Sequence, residues 1–101
     1  MLKHIVMWKL QPQAEGASAA QNALELKKRL ENLKTFIPEI LELEVGLPLK
    51  PVESMPDVVL VSAFQDEAAL AAYVKHPEHQ KVVAFVNKII ASRHVVDYLV
   101  N

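Results

Sequence analysis

Two stretches of this 101-residue chain, Leu2–Leu10 and Asp57–Phe64, read as β-strands that are apolar on both faces. Alternate residues of a strand point to opposite sides of a sheet. In the first stretch Leu2, His4, Val6, Trp8 and Leu10 share one side, and Lys3, Ile5, Met7 and Lys9 share the other. The second holds the unbroken run Val58-Val59-Leu60-Val61-Ser62-Ala63-Phe64. Strands of this kind need cover on both sides. One domain, residues 1–101, has enough chain for one helical layer. The other sheet face needs a second cover, and a second copy of the same chain is the simplest one.

The remaining elements follow in order. Pro12 and Gly16 mark a loop. Ser18 and Gln21 have capping-box spacing and open a helix whose inward stripe is Ala19, Ala23, Leu26, Leu30, Leu33 and Ile37, ended by Pro38. Ile40–Leu49 alternates, with Leu41, Leu43, Val45 and Leu47 opposing Glu42, Glu44 and Gly46, and reads as a strand with one wet face. Pro48, Pro51 and Pro56 turn the next segment into a loop. After the Asp57–Phe64 strand, Asp66 caps a short helix running to Tyr73. A further helix spans Pro77 to about Ile90, with Val82, Phe85, Val86 and Ile89 inward. A last strand spans Arg93–Val100, with Arg93, Val95, Asp97 and Leu99 on one face. The order β-α-β-β-α-α-β is that of an α+β, ferredoxin-like split βαβ sandwich: a four-stranded antiparallel sheet with helices on one side. Two such sheets closing face to face give a dimeric α/β barrel.

Composition removes several function classes. The net charge is −1 with scattered basic residues, which argues against nucleic acid or an acidic membrane surface as partner. No apolar run approaches the roughly 20 residues that span a bilayer. The absence of cysteine excludes a disulfide framework, a thiolate nucleophile and a cysteine metal site. The strand pattern begins at Leu2, so no signal peptide is expected and a cytoplasmic location is. Hydrophobic residues make up 51 %, a surplus that fits a subunit interface.

The chemistry concentrates at Tyr73-Val74-Lys75-His76-Pro77-Glu78-His79. Pro77 holds His76 extended, ends the helix before it and suits the first turn of the helix after it. His76 is then a structural joint. His79 falls in the opening turn of the second helix, where the positive end of the dipole disfavours a proton on the imidazole. Tyr73 can fold back across the joint towards it. The spacing His76-x-x-His79 straddles the proline and does not put two rings on one helical face, so no metal is expected there.

Over nearly its whole length the chain resembles the stress-responsive α/β-barrel domain (Dabb, dimeric α/β-barrel) family. The residues that carry the resemblance are Lys3-His4-Ile5-Val6, Ile37-Pro38-Glu39-Ile40, Val45-Gly46, Phe64, Ala69-Leu70 through Tyr73, His76-Pro77-Glu78-His79 and Val96-Asp97-Tyr98. The resemblance implies the dimeric barrel and no single activity. One branch is a plant polyketide cyclase that performs aldol chemistry without metal or organic cofactor. Its acid–base pair falls on Tyr73 and His79, its first-strand histidine on His4, and the aspartate that orients the base on Asp97. On this implied reading His79, Tyr73 and Asp97 are catalytic, with Asp97 holding one nitrogen of His79. His4, Trp8 and Arg93 bind substrate, and no cofactor is expected.

The chain departs from the cyclase pattern at Leu30, where a tyrosine stands, and at Val58, where a histidine stands. Trp8 and Arg93 partly replace aliphatic residues near the pocket mouth. Plant relatives hold magnesium through main-chain carbonyls that correspond to Lys34, Ile37 and Ile40, but a lysine at that helix end does nothing for a cation. Three readings stay open: a cofactor-free cyclase or lyase acting on a small carbonyl or polyketide-like substrate, a small-molecule-binding protein that uses the same pocket without turnover, and a non-catalytic stress-response dimer in which the motif only stabilises the fold.

Overall fold

β1 (Leu2–Leu10) is the strand against which the rest is assembled. The computed structural model describes all residues, 1–101. After β1 come β2 (Gln13–Ala14), β3 (Ala17–Ser18), α1 (Ala19–Phe36), β4 (Glu42–Gly46), β5 (Val58–Phe64), α2 (Glu67–Lys75), α3 (Pro77–Ile89) and β6 (Ile90–Leu99). The main sheet has the order β4-β5-β1-β6, and every neighbouring pair is antiparallel. This is the ferredoxin-like α+β fold that the element order predicts.

The alternation in β1 decides which face the helices cover. Leu2, His4, Val6, Trp8 and Leu10 are buried under the helical layer, whereas Lys3, Ile5, Met7 and Lys9 are partly exposed on the opposite face. On the helical side α1 presents Leu26, Leu30, Leu33 and, at its C-cap, Ile37, each 3 % exposed or less. Burying a leucine of this kind contributes about 1.5–3 kcal/mol. The capping box forms as the spacing predicts: the Ser18 hydroxyl accepts the Gln21 N–H, and the Gln21 side chain accepts the Ser18 N–H.

Three segments differ from expectation. The Pro12–Gly16 loop contains a two-stranded hairpin, β2 and β3, turned by Glu15 and Gly16, whose φ angles are both positive (51° and 74°). Such turns suit the right-handed twist of the flanking strands. The strand expected over Ile40–Leu49 contracts to β4, Glu42–Gly46. Leu41 and Leu47, expected inward, are 49 % and 36 % exposed, and they flank the five residues in register with β5. The last strand begins at Ile90 rather than Arg93. Ile90 is at once the C-cap of α3 and the start of β6, so no loop separates them.

The face away from the helices carries Ile5 and Met7 from β1, and Val59 and Val61 from β5. Val96 and Tyr98 of β6 lie in register with Ile5 and Lys3. A Lys3–Glu42 ion pair at 2.9 Å borders this apolar patch. Gly46 lets β4 pass close to it: a Cβ there meets Val59 Cγ1 at 3.0 Å. No helix is long and apolar enough to cross a membrane.

Candidate functional site

The corner between α2 and α3 has no loop, because one residue caps both helices. His76 is the C-cap of α2 and the N-cap of α3, with φ −61° and ψ 135°, the extended conformation that Pro77 imposes. Its Nδ1 accepts the Glu78 N–H at 3.1 Å. The ring is therefore structural, as expected. Asp66 caps the other end of α2 by accepting the Ala69 N–H at 2.9 Å.

This joint brings Tyr73 and His79 together across the corner, with ring centroids 4.4 Å apart. Tyr73 is 1 % exposed and packs on Phe64 at 4.9 Å and on His4 at 6.1 Å. Burial pushes its phenol well above the usual tyrosine range, so the hydroxyl stays protonated at any working pH. No hydrogen bond within the protein engages that hydroxyl, yet no fully enclosed side-chain polar atom lacks a partner. The phenol oxygen therefore opens into the cavity that Tyr73 lines.

His79 Nδ1 lies 3.0 Å from the Val74 carbonyl oxygen. A carbonyl only accepts, so Nδ1 carries the proton and Nε2 keeps its lone pair. Gln80 donates to the same oxygen at 2.6 Å. This end of α2 has carbonyls without intrahelical partners, and the two side chains satisfy one of them. The His79 pKa is lowered, mainly by burial; the hydrogen bond to the Val74 carbonyl opposes this as the next largest effect, and the positive fields of His4, Arg93 and His76 add smaller lowering ones. The direction agrees with the sequence reading, but desolvation leads the causes.

Asp97 does not hold His79. Its Oδ1 accepts from His4 Nδ1 at 2.5 Å. The reason is register: Asp97 of β6 lies directly opposite His4 of β1 on the helix-facing side, while the Nδ1 of His79 is already taken by Val74. Asp97 thus fixes the tautomer of His4, and the Nε2 of that ring is the one left without a protein partner.

His4, Tyr73 and His79 line one cavity of about 290 Å³ between sheet and helices, and Trp8 and Arg93 line it as well. Of the departures from the cyclase pattern, Leu30 is on the cavity wall and Val58 is not. Gln80 and Asn87 also line it, and neither was singled out from the sequence. Asn87 had a readable signal: it stands eight residues after His79 on α3, two near-turn steps of four along one face. The volume is at the low end of ligand cavities, about 300–1,000 Å³.

No three His, Asp or Glu side chains converge in a metal-binding arrangement. Of the carbonyls of Lys34, Ile37 and Ile40, that of Ile37 accepts the Ile40 N–H at 3.2 Å. The largest surface depression runs along the polar side of α1, beside Glu25, Lys28 and Asn32, and is a solvated helix face rather than a site.

Residues 2–100 match the sequence model of the family described as the stress responsive A/B barrel domain. No curated protein matches the chain. Among solved structures, a dimeric protein of unknown function with a ferredoxin-like fold from Bacteroides fragilis superposes with a TM-score of 0.86. It is 30 % identical, and the match covers 98 % of this chain and 95 % of that one. A dimeric ferredoxin-like protein of unknown function from Jannaschia sp. gives a TM-score of 0.74 at 28 % identity, covering 98 % of each chain. A hydroxynitrile lyase from Passiflora edulis gives 0.79 at 21 % identity, covering 99 % of this chain and 93 % of the lyase, a likeness of fold.

Proposed function

We propose that this chain, which belongs to the stress responsive A/B barrel domain family, is a cofactor-independent acid–base enzyme of lyase or cyclase type. Its substrate is a small carbonyl compound. The observation that carries the reading is the Tyr73 hydroxyl: buried, protonated, unpartnered and beside a neutral imidazole whose free nitrogen is Nε2.

Mechanistically, Tyr73 donates a hydrogen bond to the substrate carbonyl oxygen, and His79 Nε2 removes a proton from the neighbouring carbon. The enolate, held by the phenol, forms a carbon–carbon bond to an acceptor carbonyl carbon. The new alkoxide then takes the proton back from the His79 imidazolium. The reverse sequence cleaves the same bond. His4, oriented by Asp97, offers a second imidazole Nε2 as acceptor for a substrate hydroxyl. Asp97 acts through His4 and not on the base. Trp8 narrows the cavity and favours a short substrate over a long polyketide tail. The hydroxynitrile lyase of the same fold lends an analogy of reaction class only.

The same reading includes a homodimer in the cytoplasm. The dimeric neighbours and the apolar face of Ile5, Met7, Val59 and Val61 support the assembly, with more than about 1,200 Å² buried in total. A non-catalytic binding dimer is the competing reading.

Proton exchange separates the two. An aryl methyl ketone in deuterated buffer, followed by proton NMR, should lose its α-protons faster with protein than without. His79→Ala and Tyr73→Phe should each slow the exchange by about 10²- to 10⁴-fold. Exchange that survives both substitutions overturns the assigned roles, and binding with no exchange by the wild type favours the competing reading.

A further inference from the structure

We propose that the substrate of this cavity is an anion: a small carbonyl compound that also carries a carboxylate, bound by Arg93 at the end of the cavity away from His4. The proposal rests on the site described above and adds the charge class of its ligand.

Arg93 lies on the helix-facing side of β6, in register with Trp8, and its side chain lines the cavity. It takes part in none of the six ion pairs of the chain. No side-chain or backbone acceptor in the protein holds its guanidinium. The acid nearest along its own strand face is Asp97, four residues on, or about 13 Å at strand rise, and that carboxylate is committed to His4. No aspartate or glutamate lines the cavity. The polar groups there are the Tyr73 hydroxyl, two imidazoles, two amides, the Trp8 indole and the guanidinium, beside apolar walls from Val6, Leu30 and Leu60.

A chamber with one free cation and no anion favours a negatively charged guest. A guanidinium offers the planar fork of donors that a carboxylate accepts in two parallel bonds. The spacing sets the ligand's layout. His4 and Trp8 stand four residues apart on β1, as Asp97 and Arg93 do on β6. The two levels lie about 13 Å apart at strand rise, so a carbonyl at the His4–Tyr73–His79 end and its carboxylate meet both groups where the long Arg93 side chain reaches back along the cavity that all of them line. The field of Arg93 is felt at His79, which agrees with this short reach.

The test uses a matched pair of aryl ketones, 4-oxo-4-phenylbutanoate and its uncharged amide, titrated into the wild-type dimer and into Arg93→Gln by calorimetry or ligand-observed NMR. A charge-assisted contact predicts about ten- to hundredfold tighter binding of the acid by the wild type. In Arg93→Gln that preference should collapse to within about threefold, with the affinity for the amide unchanged. Equal binding of acid and amide by the wild type, a preference that survives in Arg93→Gln, or no binding of either probe at millimolar concentration overturns the proposal. Binding reads the anion site and α-proton exchange reads the acid–base pair, so either can fail alone. An acid preference without exchange removes the catalytic reading only. Exchange of the amide as fast as of the acid, without an affinity difference, removes the anion site only.

Discussion

Removing the Tyr73 hydroxyl should leave the protein as stable as before, and this outcome distinguishes a working group from a structural one. A buried tyrosine that serves the fold hydrogen-bonds its oxygen to the protein. Deleting such a bond costs about 1 kcal/mol, and leaving its partner unsatisfied costs about 1–3 kcal/mol. Here the phenol has no protein partner, and the ring rests on Phe64 at 4.9 Å and His79 at 4.4 Å. Tyr73→Phe keeps every ring contact and orphans nothing. The expected change is between zero and a slight stabilisation, within about 0.5 kcal/mol. For a domain of about 100 residues the unfolding entropy near 60 °C is about 0.2 kcal/mol per kelvin, so 1 kcal/mol shifts Tm by about 5 °C. Calorimetric melts of wild type and Tyr73→Phe at equal protein concentration, which matters wherever subunits associate, should agree within about 2 °C. A fall of 5 °C or more would show that the hydroxyl holds the fold together and is not free for a substrate.

Two further outcomes concern the histidines. The His79 pKa is lowered by burial, so the unfolded chain binds this proton more readily than the folded one. The stability tied to His79 is then whole above the unfolded value of about 6.5 and is lost as the pH falls from there towards the lowered folded pKa. An NMR titration should put the His79 midpoint below 6.5, and a midpoint above it would contradict the desolvated site. Asp97→Asn should disturb the tautomer of His4, read from its ring-nitrogen shifts, and leave His79 as it was. A change confined to His79 would reverse the pairing described here.

Features set by local chemistry were legible in the sequence. The Ser18–Gln21 box, the Asp66 cap and the Pro77 restriction on His76 are short-range effects, and each appears where its spacing puts it. The inward stripe of α1 came from helical period alone. The pairing of Asp97 with His4 did not, because it depends on the register between two strands 93 residues apart in the chain. Sequence gives Asp97 a face but not a neighbour. The Val74 carbonyl that claims His79 was hidden for a related reason: a backbone group leaves no mark in the residue types. The truncation of the strand expected over Ile40–Leu49 likewise reflects how far β5 extends alongside it, not the alternation of Leu41, Leu43, Val45 and Leu47. Cavity size was out of reach, since it depends on how Trp8 and Leu30 pack across from α3.

The shared cap at His76 has a consequence for how this segment can change over generations. Tyr73 lies in the last turn of one helix and His79 in the first turn of the next, with no loop between them to absorb a length change. Adding or deleting one residue in either helical turn rotates the downstream residues by about 100°. That swings the His79 ring out of the cavity while leaving both helices intact. The interval from Tyr73 to His79 therefore has one permitted length. Among descendants of this chain, an insertion or deletion inside that interval should mark copies that keep the fold and have lost the chemistry proposed for the cavity.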